Sequence, residues 1–231
     1  TNKILGQIQT GKDPDAIMYE PFSKKIIISN GHDNSLSVID PLQDKVVNTI
    51  AVGGAPEATA SDDSGKLFVN LEDKNEIVVV DTKTFKVINR YSLSPGEGPT
   101  GLVYDKKNRR LFSGCQGLLI IMNADNGKII DKIKIGNGCD GVVFDESNQM
   151  IYTSNGEGNI SVIKQENENV YHLLPQILTK KGARTIAIDK STHLLYLPTA
   201  EFEPKEVNEK AEREINRLEQ MPSMSAEAAI S

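Results

Sequence analysis

Apolar residues in this chain fall in short runs of four to seven, broken by clusters of Gly, Asn, Asp, Ser and Pro. The stretch Gly136–Lys164 shows the unit most clearly. It contains three strand-like runs, Gly141–Asp145 (GVVFD), Met150–Ser154 (MIYTS) and Asn159–Lys164 (NISVIK). Glu146-Ser147-Asn148 and Asn155-Gly156-Glu157-Gly158 separate them, and these residues tolerate tight turns. One such unit cannot bury its own apolar surface, so copies must stack around a common core.

Copies lie on both sides. The residue closing the third run recurs at Asp40, Asp81, Asn123 and Lys164, in steps of 41, 42 and 41. The segment opening the first run recurs at Pro14-Asp15, Pro56-Glu57, Pro99-Thr100, Cys139-Asp140 and Ala183-Arg184, in steps of 42, 43, 40 and 44. A period of about 40–45 residues with four strands per repeat is the pattern of a propeller blade. Helical repeats would show apolar spacings of three and four, which these segments lack. The alternative all-β reading, a sandwich with coincidental spacing, leaves the agreement of the rulers unexplained.

The pattern therefore predicts an all-β protein, a β-propeller of four full four-stranded blades and a partial fifth over residues 1–203. Ile4–Thr10 reads as a lone outer strand belonging to another blade. The first repeat gives Ala16–Tyr19, Lys25–Ser29, Ser35–Asp40 and Val46–Val52, and the fourth ends on Val170–Leu178. The fifth offers only Thr185–Asp189 and Leu194–Pro198. In the tail, 204–231, Val207, Ala211, Ile215 and Leu218 make a narrow apolar stripe, which predicts a helix over Lys205–Gln220 ending before Pro222. That helix reads as an insertion against the last blade or as a partner-binding element.

Composition narrows the functions. Net charge is −6 with both signs intermixed, so no general attraction to nucleic acid or anionic membrane is expected. No apolar run approaches the roughly 18 residues of a membrane span. The chain opens on Thr1 with neither signal peptide nor initiator Met, and reads as a processed product or a fragment. Cys115 and Cys139 fall on one face of adjacent blades, as two free thiols or a disulfide. The basic cluster Lys106-Lys107-Asn108-Arg109-Arg110 has no interleaved aromatics and reads as a solvated hairpin.

Several segments resemble the YncE-like, or YVTN-repeat, β-propellers of bacteria. They are Pro14-Asp15-Ala16-Ile17, Gly54-Ala55-Pro56-Glu57, Gly98-Pro99-Thr100-Gly101-Leu102, Ser154-Asn155-Gly156-Glu157-Gly158 and Tyr196-Leu197-Pro198-Thr199-Ala200-Glu201, with Ile151-Tyr152-Thr153-Ser154-Asn155 as a degenerate form of the naming motif. The resemblance implies a seven-bladed ring and export to the periplasm or cell surface. This chain departs from it in showing four complete repeats, as if two N-terminal blades and the final strand were missing.

In a propeller the first strand of each blade lines the central channel. That geometry predicts an arc of Asp15, Glu57, Thr100, Asp140 and Arg184 at one mouth. Behind it come Asn30-Gly31-His32, Asn70-Leu71-Glu72, Cys115-Gln116 and Asn155-Gly156-Glu157. The candidate ligand-binding set is Asp15, His32, Glu57, Asn70, Thr100, Asp140, Asn155 and Arg184. Asp15, Glu57 and Asp140 are the candidates for a divalent cation such as Ca²⁺, which takes several carboxylate oxygens. The same residues also serve simply to tie loops together by bonding backbone amides. No His-x-x-x-His pair, nucleophile motif or phosphate loop appears, so no catalytic residue is assigned. The expected function is a non-enzymatic binding or scaffold propeller for a small polar ligand, peptide or protein. The alternative is a metal-dependent hydrolase of lactonase type using the channel carboxylates.

Overall fold

A strand buried on both faces needs apolar residues at consecutive positions, and that rule sorts the strands of each repeat. In the computed structural model, which describes residues 3–200, β1 (Pro14–Glu20), β2 (Lys25–Asn30), β3 (Ser35–Asp40) and β4 (Lys45–Ala51) form one antiparallel sheet in chain order. The next sheets are β5 (Pro56–Ser61) to β6 (Lys66–Leu71), β7 (Glu76–Asp81) and β8 (Lys86–Ser92), then β9 (Leu102–Asp105), β10 (Arg110–Gly114), β11 (Leu118–Asn123) and β12 (Ile129–Lys134). The fourth is β13 (Cys139–Asp145), β14 (Met150–Asn155), β15 (Asn159–Asn167) and β16 (Val170–Leu178). A two-stranded fifth, β17 (Ala187–Asp189) with β18 (Leu194–Tyr196), follows. The second and third strands, such as KLFVNL and EIVVVD, are almost wholly buried, whereas the fourth strands β4 and β8 are mostly exposed.

The first strands β1, β5, β9, β13 and β17 are successive neighbours, so each sheet is a blade radiating from a shared axis. Apolar layers fill the gaps. Leu36 and Val38 meet Leu67 and Val69 between blades one and two. Phe68 stacks on Tyr104, ring centres 5.6 Å apart, between two and three. Phe112 meets Phe144 at 5.3 Å between three and four. Near the axis the blades approach closely, and a Cβ on Gly101 would lie 2.6 Å from the Val142 nitrogen.

Three of the four residues that close the third strands are turn caps. Asp40 Oδ1 accepts the Leu42 amide at 2.8 Å, Asp81 Oδ1 accepts those of Lys83 and Thr84, and Asn123 Oδ1 accepts that of Asp125 at 2.9 Å. Free carboxylate or amide oxygens in this position close the third-to-fourth-strand turn. Within the basic hairpin, Lys106 pairs with Asp63 and Arg109 with Asp125, and Arg110 donates to the Glu168 carbonyl at 2.9 Å. The hairpin is solvent-facing, with Lys106 and Arg109 held in surface ion pairs and Arg110 buried against blade four.

One expectation changes, one pair of alternatives is decided, and one expectation lies outside the described residues. Residues 4–10 form no strand: a strand needs a ladder partner, and no strand among the described residues pairs with them; Ile4 and Leu5 remain 83% and 97% exposed. Cys115 packs in the layer between blades two and three and Cys139 in that between three and four, so the sheet of blade three separates two free thiols. The helix expected over Lys205–Gln220 lies outside the described residues. No helix among the described residues is long and apolar enough to cross a membrane.

Candidate functional site

Three of the first strands open on a β-bulge. Register shifts lie between Pro14 and Ile17, Pro56 and Thr59, and Cys139 and Gly141. A bulge adds one residue that the partner strand does not match and re-aims its side chain. Asp15, Glu57 and Asp140 occupy these positions. Thr100 and Arg184 stand at the corresponding places just before β9 and β17. Together with Glu72 and Gln116, these five line one cavity of about 280 Å³ at the mouth of the channel.

The scaffold behind the mouth is a chain of bonds from each second strand to the next blade. Ser29 Oγ donates to the Glu57 carbonyl at 2.7 Å, and Asn70 Nδ2 donates to the carbonyls of Thr100 (3.0 Å) and Gly101 (3.1 Å). Ser113 Oγ returns a bond to Asn70 Oδ1 at 3.0 Å, and Ser154 Oγ donates to the Arg184 carbonyl. Thr100 Oγ1 is itself engaged with the Cys139 carbonyl at 2.8 Å.

Of the eight residues expected to bind, five meet at the mouth and three do not. Asn70 is fully buried in the ties just described. Asn155, also fully buried, donates to Asn159 Oδ1 at 2.7 Å and Ser161 Oγ at 3.0 Å. His32 stands outside the cavity, 3.4 Å from Asp13 and 78% exposed. Glu72 and Gln116 take the places these leave. Asn70 and Asn155 still belong to the ends of β6 and β14, where side chains point into the gap between blades, whereas Glu72 opens a short 3-10 turn after β6 and Gln116 is the second residue beyond β10. Both lie in segments that the sequence places behind the arc, Asn70-Leu71-Glu72 and Cys115-Gln116, where neither is singled out as a binding residue.

Electrostatically the mouth is under-compensated. Burial, followed by the charges of Asp15 and Glu72 and a hydrogen bond with Asp15, pushes the Glu57 carboxyl up to about 8. The Glu57 carboxyl is thereby favoured in its protonated form at neutral pH. Asp140 has two partners from blade five: Thr185 Oγ1 donates at 2.8 Å, and Arg184 Nε lies at 3.8 Å. The neighbouring Cys139 thiol is pushed up to about 12, mainly by burial, and is no nucleophile at neutral pH. Among the described residues no three His, Cys, Asp or Glu side chains gather closely enough to hold a metal ion. Asp15, Glu57 and Asp140 line the same cavity without forming such a cage, so no chemical step is assigned to a metal here.

The opposite end of the channel holds a cavity of about 360 Å³ lined by the far ends of the same strands and the turns beyond them. There Asp63 pairs with Lys106, and Glu146 with Lys190 at 2.7 Å, each pair bridging adjacent blades.

No family model matches this sequence, and no curated protein matches it. Among solved structures the chain is similar to one from Bacteroides uniformis provisionally assigned as a 6-phosphogluconolactonase, with a TM-score of 0.71 and 14% identity over 84% of this chain. The chain spans 65% of that structure's length. At this identity the likeness speaks for the fold: this is a chain of propeller blades.

Proposed function

We propose that this chain is a non-enzymatic binding propeller whose acidic mouth receives the cationic end of a small polar ligand or peptide. One observation carries the reading: five consecutive blades each deliver a side chain to one cavity, where Asp15, Glu57, Glu72 and Asp140 face the guanidinium of Arg184 alone. At about 280 Å³ the cavity lies just under the roughly 300–1,000 Å³ of drug-sized sites, which favours a small molecule or a single side chain. An ammonium group beside Glu57 would supply the positive charge that its raised carboxyl lacks. Membership of the YVTN-repeat propellers and a periplasmic or cell-surface location belong to the same proposal, supported by the repeat motifs.

Thermal-shift titration with spermidine, lysinamide and Ca²⁺ tests it. The ammonium compounds are expected to raise the melting temperature, and the rise to disappear in Asp140→Asn and Glu57→Ala. Stabilisation that survives in both variants, or no stabilisation by any cation, contradicts the reading.

The second reading is a lactonase-type hydrolase, favoured by the fold likeness to the Bacteroides protein. Excess carboxylate at the mouth would repel a phosphorylated substrate, so this reading names an uncharged lactone. Lactone hydrolysis abolished in Asp15→Asn would replace the first reading with it.

A further inference from the structure

Blade five is the least anchored of the blades among the described residues. The layers between the earlier blades hold ten to twelve buried apolar residues each. Between blades four and five the described residues fully bury three, Ile160, Val162 and Ile186, with Val143, Met150, Tyr152, Leu195 and Leu197 partly buried around them. Yet this blade carries Arg184 and Thr185, the two groups that engage Asp140 at the mouth.

Polar ties add to this thin layer: Ser154 Oγ donates to the Arg184 carbonyl at the mouth end, and a second, charged contact lies at the opposite end of the channel. Asp145, the last residue of β13, is 2% exposed and accepts the Nδ1–H of His193 at 2.8 Å. His193 sits at the end of the β17–β18 turn, with its amide bonded to the Asp189 carbonyl at 2.8 Å. Burial alone would raise the Asp145 carboxyl; bonds from Ser147, His193 and Asn148 hold it below its ordinary value, so His193 meets an anion. Lys190–Glu146, the other far-end link, is an exposed pair and contributes little.

The same device recurs. Glu20, ending β1, accepts Ser61 Oγ of blade two at 2.9 Å, and Asp105, ending β9, accepts Gln165 Nε2 of blade four at 3.0 Å. At those junctions a full apolar layer shares the task. At the last it does not.

We infer that the Asp145–His193 pair is a latch that docks the fifth blade from the far end of the channel and thereby positions Arg184 and Thr185 at the mouth. His193 is a positioning residue, acting along five residues of β13, about 17 Å at 3.3–3.4 Å per residue. Breaking the latch lets β17 and β18 open as a unit, carrying Arg184 away from Asp140.

Amide hydrogen exchange on the full chain tests this without any ligand, so its outcome is independent of the proposed function. His193→Ala is expected to speed exchange about tenfold or more in β17, in β18 and at Gly182, whose amide bonds the Gly156 carbonyl at the mouth end. His193→Gln, which can still donate to Asp145, is expected to restore most of the protection. Amides in β1–β12 should not change in either variant. Faster exchange confined to the turn around His193, an equal effect of Gln and Ala, or loosening of every blade would each overturn the inference.

Discussion

The two ends of the channel are built by the same five strands and carry opposite solutions to charge. At the far end, acids and bases sit at turn positions of adjacent blades and pair off, Asp63 with Lys106 and Glu146 with Lys190. At the mouth, four carboxylates face one guanidinium, which stands 3.8 Å from Asp140. Blade geometry is common to both, so the difference resides in one side chain per blade. Paired charges at the surface close an end cheaply and contribute little energy. Unpaired carboxylates in a half-enclosed cavity raise one another's pKa, which folding alone does not favour. The proposed binding site rests on this asymmetry between a neutralised end and an under-compensated one.

Substitutions sharpen this contrast. The largest effect is expected behind the mouth. Asn70→Ala removes its two bonds to the carbonyls of Thr100 and Gly101, which keep the amides of Ala58 and Gly114, and deprives the buried Ser113 hydroxyl of its partner; it should cost about 2–3 kcal/mol in denaturant unfolding. A cost no greater than that of an average surface substitution would mean that water replaces these ties. Next comes the imbalance itself. Arg184→Ala removes the cation from the mouth and should lower the melting temperature by about 2–4 °C, the shift expected for about 1 kcal/mol in a chain of this size. Lys106→Ala, made at the paired end, should leave it unchanged. Equal effects from Arg184→Ala and Lys106→Ala would erase the distinction between the two ends.

Much of the architecture was legible because the period is a physical repeat. Asp40, Asp81 and Asn123 recur since each must cap the same turn, and paired apolar faces such as Ile77–Val80 recur since each blade is packed on both sides. Propeller geometry also placed Asp15, Glu57, Thr100, Asp140 and Arg184 together. The bulges that aim three of them were not legible, because a register shift depends on the partner strand. Asn70 and Asn155 misled for the same reason: they lie one or two residues from the mouth in sequence, but strand pairing turns them into the gap between blades. Ile4–Thr10 has strand composition without a partner, and composition alone does not make a ladder. His193 carried no motif. Its partner Asp145 is 48 residues away and is found only when the blades are docked.

The account stands on a mouth whose carboxylates are too many for the cations supplied, and Glu57 reports that most directly. Its folded carboxyl, at about 8, lies above the 4.5 of a free glutamate. Between these values the folded protein holds a proton that the unfolded chain has lost, so stability falls as pH rises and the full penalty is present above about 8. Unfolding free energy should therefore be measured from pH 4 to 9 in the wild type and in Glu57→Gln. Because Glu57 is only about half buried, solvent screening reduces the penalty, and the variant is expected to gain about 1–2 kcal/mol over the wild type by pH 8–9 relative to pH 4. Parallel curves, or a gain that shrinks with rising pH, would show that the mouth is balanced and would contradict the account.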